Sequence, residues 1–569
     1  MTEAEKSAEP SPPPEGAAGR VRSAHRKDLL ILLALGCLLF LPALGRRDLW
    51  NPDEARYAEV AREMRATGEY LLPHLNGDLY TQKPPLLFWS IALASAPFGR
   101  VTETAARLPL ALAAIAALLL VWKIGERLVS RRAAWLSALV FGTSATILWQ
   151  GRFGQIDMLL GALVALAVWF WVRAWTEERP ALMLGFFASA GVATVAKGPV
   201  GLLPPLFGIL LFLLATKRAR EIPKLRIGRG LAVYAAVVLA WLVPATLHGG
   251  TSYLQQIAFK QTVTRYAEPW HHFQPPWYYL TTIPADFFPW TFLIPTALVL
   301  GWKRLSGRER DGFLFGLSWV VATLVFFSVS AAKRSVYMLT MYPGLALVLG
   351  TALDRLAAGR SQAAVLPEAA APARGERALS VPLLLLALFS LALPLALWIG
   401  GRNRPEALPL GGERFVLTLV LVLLPLPLGA FWGWWQARQG RVFRAVAAVA
   451  VGMAALILSA SFTVIPSFDA VKSARYLSNR LLALSAPGEP YAIYPRIDST
   501  FLFYTERFAE LPSGEEELQA FARRPGNVWL VAQRDDLAKL AQPLPLVEYA
   551  RDPEEKEGYV LLGKAGAGR

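Results

Sequence analysis

The chain has 569 residues, 54% of them hydrophobic, and its 58 lysines and arginines against 42 acids give a net charge of +16. Apolar runs repeatedly reach the ~20 residues needed to cross a bilayer, which makes this a multi-span membrane protein rather than a soluble domain. The cations cluster in short loops between those runs, where they set orientation, and not on one nucleic-acid-binding face; the lone cysteine, Cys37, excludes an intrachain disulfide.

In chain order, residues 1–27 contain SPPPEG and then Arg20, Arg22, Arg26 and Lys27, and read as a disordered basic cytoplasmic tail. No A-x-A-like site follows the first apolar run, so a cleaved signal peptide is not expected. Thirteen crossings are predicted, at 28–45, 105–123, 133–150, 155–174, 180–195, 199–216, 229–247, 280–301, 312–330, 335–354, 380–399, 414–436 and 443–462. The run 84–99, with its two leading prolines, is too short to cross and suits a re-entrant or interfacial helix. With that choice every second loop is basic: Arg131 and Arg132; Lys217 to Arg226; Lys303 to Arg310; Arg438 to Arg444. These loops are expected in the cytoplasm. After residue 463 the apolar runs shorten: YAIYPRI, NVWLVAQ and YVLLGK read as strands, RYLSNRLLAL and EEELQAFA as helices. The expected organisation is thus the tail, a transmembrane domain over 28–462 with a first external loop at 46–104, and a small soluble α/β domain over 463–569 on the external side.

The first external loop opens with NPDEARYAEVAREM. Read locally, Asn51 is an N-cap, Pro52 the first helical residue, and Asp53 and Glu54 acids favoured by the helix dipole. Tyr57, Val60, Ala61 and Met64 then form the apolar face of a helix lying on the membrane, with Glu59, Arg62 and Glu63 facing water and Gly68 ending it. Against capping stands the rest of that side of the membrane. The external loops also hold Lys83, Arg152, Asp157, Lys197, Arg265, His271, His272, Lys333, Arg334 and Tyr337. Ionisable groups near membrane depth are costly and mark sites, and cations with a few carboxylates suit group transfer from a lipid phosphate.

The stretch WNPDEARYAEVAREMRATGEYLLPHLNGDLYTQKPPLLFW is similar to the first periplasmic loop of bacterial membrane glycosyltransferases that use polyprenyl-phosphate sugars, the group of the lipid A aminoarabinose transferase, related to protein O-mannosyltransferases. The resemblance continues through ARLPLAL, GRFGQIDM, AKGP, HHFQPPWYYL and KRSVYMLTMYPGLAL, over roughly residues 28–355. It implies a GT-C fold in the bacterial inner membrane, mainly helical, with an external active site. Implied too are undecaprenyl phosphate as sugar carrier, an envelope acceptor such as lipid A, inversion at the anomeric carbon, and Asp53 as the catalytic base.

By the same resemblance Lys83, Lys197, Arg334 and Tyr337 contact the donor phosphate, and Glu54, Arg56, Asp157, Arg265, His271 and His272 position the substrate or the loop. No cofactor is expected to be required. In the aminoarabinose transferase an acid immediately before the lysine of TQKPP, with a histidine from the later loop, is associated with a metal; here Gln82 stands in that place, an amide is a poor ligand for a hard cation, and a divalent metal stays an open alternative. Trp270, Trp277, Tyr278 and Tyr279 are expected in a membrane-interface belt. A protein O-mannosyltransferase shares the donor chemistry and remains an alternative. A polyprenyl-lipid transporter is a lesser one, since internal repeats in matched halves are not visible.

Overall fold

The computed structural model describes residues 15–257, 273–363, 372–403, 412–552 and 558–566. It is mainly helical. Among the described residues nine helices are long and apolar enough to cross a membrane, and the pair Tyr278–Asp286 and Trp290–Lys303, bent by 110°, makes a tenth. The other three predicted crossings are also helical. The first forms the apolar end of Glu15–Phe40, whose helix also takes in polar residues before the bilayer. The run 133–150 is divided into Arg131–Gly142 and Ala145–Gln150, and 199–216 gives the short apolar helix Pro199–Ala215. The run excluded as a crossing forms Leu86–Phe98, too short to span.

The basic tail needs correction. Helix begins at Glu15, so residues 15–27 are not disordered; residues 1–14 lie outside the described set. Helix there continues the first span without a break, and propagating an existing helix avoids the cost of nucleating one.

Three of the four basic loops meet at one end of the bundle. Arg131 pairs with Asp28, Arg132 with Asp354, Arg218 with Asp311, and Arg308 donates to the carbonyl of Arg127. The span Glu103–Leu128 has 26 residues. At ~1.5 Å per residue it puts Arg107 well away from Arg127, at the opposite end.

At that opposite end lies a four-stranded sheet, in the order Tyr491–Tyr494, Trp529–Gln533, Tyr559–Gly563, Val547–Arg551. The first pair is parallel and the others antiparallel, with a bulge between Glu548 and Ala550. The period of two is plain in its packing. Tyr491, Ile493, Trp529, Val531 and Leu561 pack with Leu477, Leu481, Phe501 and Leu502 on one face, while Ala492, Leu530, Ala532, Val560 and Leu562 pack with Leu518 and Phe521 on the other. Three strands lie where the sequence predicts them; Val547–Arg551 is additional, and its largely exposed residues explain its weak apolar signal.

The acids of the helix Asp53–Thr67 do not face water. Asp53, Glu54, Glu59 and Glu63 are all buried together with its apolar residues, because it is packed between Leu86–Ala94, the span Glu103–Leu128 and the C-terminal helix Ser499–Thr505. It also lacks the predicted cap: Pro52 precedes the helix without any side-chain cap bond, and Asn51 instead hydrogen-bonds the buried Asp498. Gly68 does end it, in the left-handed conformation at φ 76°. The loop before the helix is tied to the C-terminal region as well. Asp469 accepts from the Asp48 amide at 3.0 Å and from the Trp50 indole at 2.7 Å, and the Tyr504 hydroxyl accepts from the Leu49 amide at 2.8 Å.

Candidate active site

Two adjacent acids at the start of this helix have different surroundings. Glu54 is the centre of a closed network. It accepts from Arg47 at 2.7 and 2.9 Å, from Arg107 at 2.7 and 3.0 Å, and from the amides of Trp50 at 3.1 Å and Gly154 at 2.9 Å. Arg107 also binds the carbonyls of Leu44, Arg47 and Asp48, so one carboxylate joins the first loop, a transmembrane span and the 150–157 turn. Burial alone would raise the pKa of Glu54, but the two guanidinium groups hold it down at about 2. Gly154 is required by this packing: a Cβ there would lie 2.6 Å from Cγ of Glu54. Glu54 is therefore enclosed and ties the loop to the span and the turn.

Asp53 faces the other way, toward the loops between spans. Its Oδ2 accepts from Arg334 Nη2 at 3.0 Å and from Gln155 Nε2 at 3.1 Å, and among the described residues no hydrogen bond is recorded to Oδ1. Gln155 is itself oriented by Gln150, whose Nε2 donates to Gln155 Oε1 at 2.9 Å. Burial pushes the Asp53 pKa up, yet Arg334, with Arg56 and Lys83 further off, brings it below the usual carboxylate value.

Beside this pair Lys197 forms an ion pair with Asp157, and its ammonium lies 4.5 Å from the ring centre of Tyr337. Gly198 makes the local turn possible, because its φ of 96° lets the chain leave the helix Met183–Lys197 directly at the lysine. The structure thus brings Asp53, Arg56, Lys83, Asp157, Lys197, Arg334 and Tyr337 into one electrostatic neighbourhood, drawn from four separate loops.

Other expected positions differ. Lys333 donates to the carbonyls of Gln274 at 2.9 Å and Ser330 at 2.5 Å, so it ties its own loop and is not open to an anion. Tyr279 is fully buried and belongs to the core, whereas Trp277 is exposed. Arg265, Trp270, His271 and His272 lie outside the described residues. Four residues of the network are not among those expected from the sequence: Arg47, Arg107, Gln150 and Gln155. Arg107 had a readable signal, an arginine inside an otherwise apolar span, and Gln155 stands in the GRFGQID stretch two residues from Asp157.

A metal fits poorly at Gln82. Its amide oxygen faces the Arg56 guanidinium at 3.4 Å, and a fixed positive charge next to a neutral ligand opposes a divalent cation. Among the described residues no three His, Cys, Asp or Glu side chains gather into a metal-binding group.

Residues 82–246 match the family model for dolichyl-phosphate-mannose-protein mannosyltransferase. An undecaprenyl phosphate-α-4-amino-4-deoxy-L-arabinose arabinosyl transferase of Pectobacterium carotovorum subsp. carotovorum (strain PC1) is 32% identical over 334 residues, 58% of this chain and 59% of the relative. The Pseudomonas aeruginosa (strain LESB58) transferase of the same name is 31% identical over 372 residues, 64% of each chain. The matched stretch spans about three fifths of the length of these curated relatives. The crystal structure of ArnT from Cupriavidus metallidurans bound to undecaprenyl phosphate superimposes with a TM-score of 0.78 at 21% identity, over 95% of this chain and 98% of that one. By sequence over more than half its length this polytopic membrane protein is similar to the bacterial undecaprenyl phosphate-aminoarabinose arabinosyl transferases, and over nearly all of its length it has the GT-C fold seen in ArnT.

Proposed function

We propose that the protein is a glycosyltransferase that moves a sugar from undecaprenyl phosphate to an envelope acceptor, most directly lipid A, on the periplasmic face of the inner membrane. The observation that carries this reading is the environment of Asp53: one buried carboxylate with an oxygen to which no described residue donates, set among Arg334, Arg56 and Lys83. Inverting transfer needs this arrangement. Asp53 takes the proton of the acceptor O–H while that oxygen bonds to the anomeric carbon from the side opposite the phosphate. The bond between that carbon and the phosphate oxygen breaks, and its electron pair leaves with the phosphate. Because the leaving phosphate changes from a diester with about one charge to a monoester approaching two, nearby cations favour the products and the transition state over the bound donor. No acid is needed to assist so good a leaving group.

In this scheme Lys83 and Arg334 are the principal phosphate contacts, and Lys197 and Tyr337 complete the cationic side, Lys197 being held in place by Asp157. A protein O-mannosyltransferase-like activity uses the same chemistry on serine or threonine, and the match over residues 82–246 favours keeping it as the second reading. Mass spectrometry of lipid A and of envelope glycoproteins, with and without the gene, separates the two. Loss of a sugar from lipid A is expected; unchanged lipid A with loss of glycoproteins would select the second reading. Asp53→Asn tests the chemistry itself. It should lower transfer by roughly 10²- to 10⁴-fold, and near-normal turnover would remove Asp53 from the role of base.

A further inference from the structure

Arg334 has two anionic partners to serve. In the structure it is committed to Asp53 Oδ2, with its side chain still 33% exposed and so open to a further ligand. A carboxylate bound to a guanidinium is a poor base, and a guanidinium bound to a carboxylate is a weak phosphate ligand, so this pairing suits neither task. We propose that Arg334 is a shared counter-ion: it holds Asp53 before the donor arrives and turns to the lipid phosphate when the donor binds, so that Asp53 becomes an effective base only with a donor in place. This rests on the reading of the protein as a lipid-phosphate glycosyltransferase.

Two features of the site support the exchange. The second partner of Asp53 Oδ2 is the neutral amide of Gln155, whose orientation is set by Gln150 from the helix Ala145–Gln150. When Arg334 transfers its charge to the phosphate, this amide keeps the carboxylate in position without lowering its proton affinity as a cation does. The arriving phosphate also brings like charge toward Asp53, and that acts in the same direction, favouring the proton on Asp53. Gln155 and Gln150 are thus positioning residues for the base, and Arg334 is the residue that makes its activation depend on the donor. The consequence is an order: donor first, then deprotonation of the acceptor. A base already active on an empty site would have nothing to transfer.

The test uses the full-length purified protein and undecaprenyl phosphate without a sugar, titrated against wild type, Asp53→Asn, Arg334→Gln and the double variant. Removing the competing carboxylate frees Arg334, so Asp53→Asn should bind the lipid phosphate about fivefold more tightly, the size of one partly exposed ion pair. Arg334→Gln should bind it less tightly, and in that background Asp53→Asn should bring a clearly smaller gain, the part due to relief of like-charge repulsion alone. An equal gain in both backgrounds would mean simple repulsion between Asp53 and phosphate and would overturn the shared counter-ion, as would unchanged affinity in Asp53→Asn. Absence of binding by wild type would instead overturn the donor reading itself. Arg334→Met provides a second uncharged variant, so that the cycle can be completed should Arg334→Gln fail to fold. Gln155→Leu should leave affinity for the lipid phosphate unchanged and lower kcat by up to about 10²-fold, because it disturbs the base and not the phosphate contacts. An equal loss in affinity would assign Gln155 to the phosphate side.

Discussion

Asp53 and Glu54 are neighbours of the same chemical class with different partners. Glu54 neutralises two buried guanidinium groups, so removing its charge leaves them unpaired, a change that costs on the order of 3–5 kcal/mol. Glu54→Gln should therefore melt well below wild type in detergent, whereas Asp53→Asn should melt near it and fail only in transfer. A comparison of thermal unfolding and turnover for the two variants checks this. Because the Glu54 pKa is depressed to about 2 from 4.5, its contribution to stability is complete above the unfolded value and is lost as pH falls through the folded one. At Gln82 the expectation is metal independence. Transfer should persist in excess chelator, and Lys83→Ala should reduce it far more than His272→Ala. Loss of activity in chelator with recovery on adding a divalent ion would contradict it.

At the level of elements, the helix Asp53–Thr67 is the piece that the C-terminal region holds down. Glu63 accepts from the amides of Asn76 at 2.6 Å and Gly77 at 3.1 Å, and the Asn76 side chain exchanges hydrogen bonds of 2.9 Å with the backbone of Ala509 in both directions. Glu59, buried on the same helix, is pushed up to about 7 by burial despite its ion pair with Arg62. A carboxyl whose folded pKa exceeds its unfolded value binds more protons when folded, so stability should fall as pH rises from about 4.5 to about 7. Melting temperatures measured across that window should show the slope in wild type and a reduced slope in Glu59→Gln. An identical slope in the variant would assign it to another group.

For the whole molecule, the two ends of the bundle carry different chemistry: paired basic loops at one end, the Asp53 neighbourhood and the C-terminal sheet at the other. In a Cys37→Ala background, Lys224→Cys and Arg496→Cys, both at exposed positions, should label from opposite sides of the membrane, the first only after permeabilisation. Labelling from one side would break the alternation of loops on which the periplasmic placement of the site rests.

What the sequence by itself determined is what short-range pattern encodes. Apolar runs of span length become helices in water-free lipid because backbone groups must be satisfied within the segment, and alternation over four or five residues suffices to mark the strands Tyr491–Tyr494 and Trp529–Gln533. The motif stretches also marked Asp53, Lys197 and Arg334 as noteworthy without revealing their partners. Only the tertiary structure decided which acid is enclosed and which meets the external cations, since Asp53 and Glu54 share a helix start and differ by the turn that sends Glu54 toward Arg107 and Asp53 toward Arg334. It likewise decided that Glu59 and Glu63 are buried. Their helical positions read as a wet face until another element packs on it, and that element, Ser499–Thr505, lies more than four hundred residues away in the chain, a distance over which no local periodicity carries information.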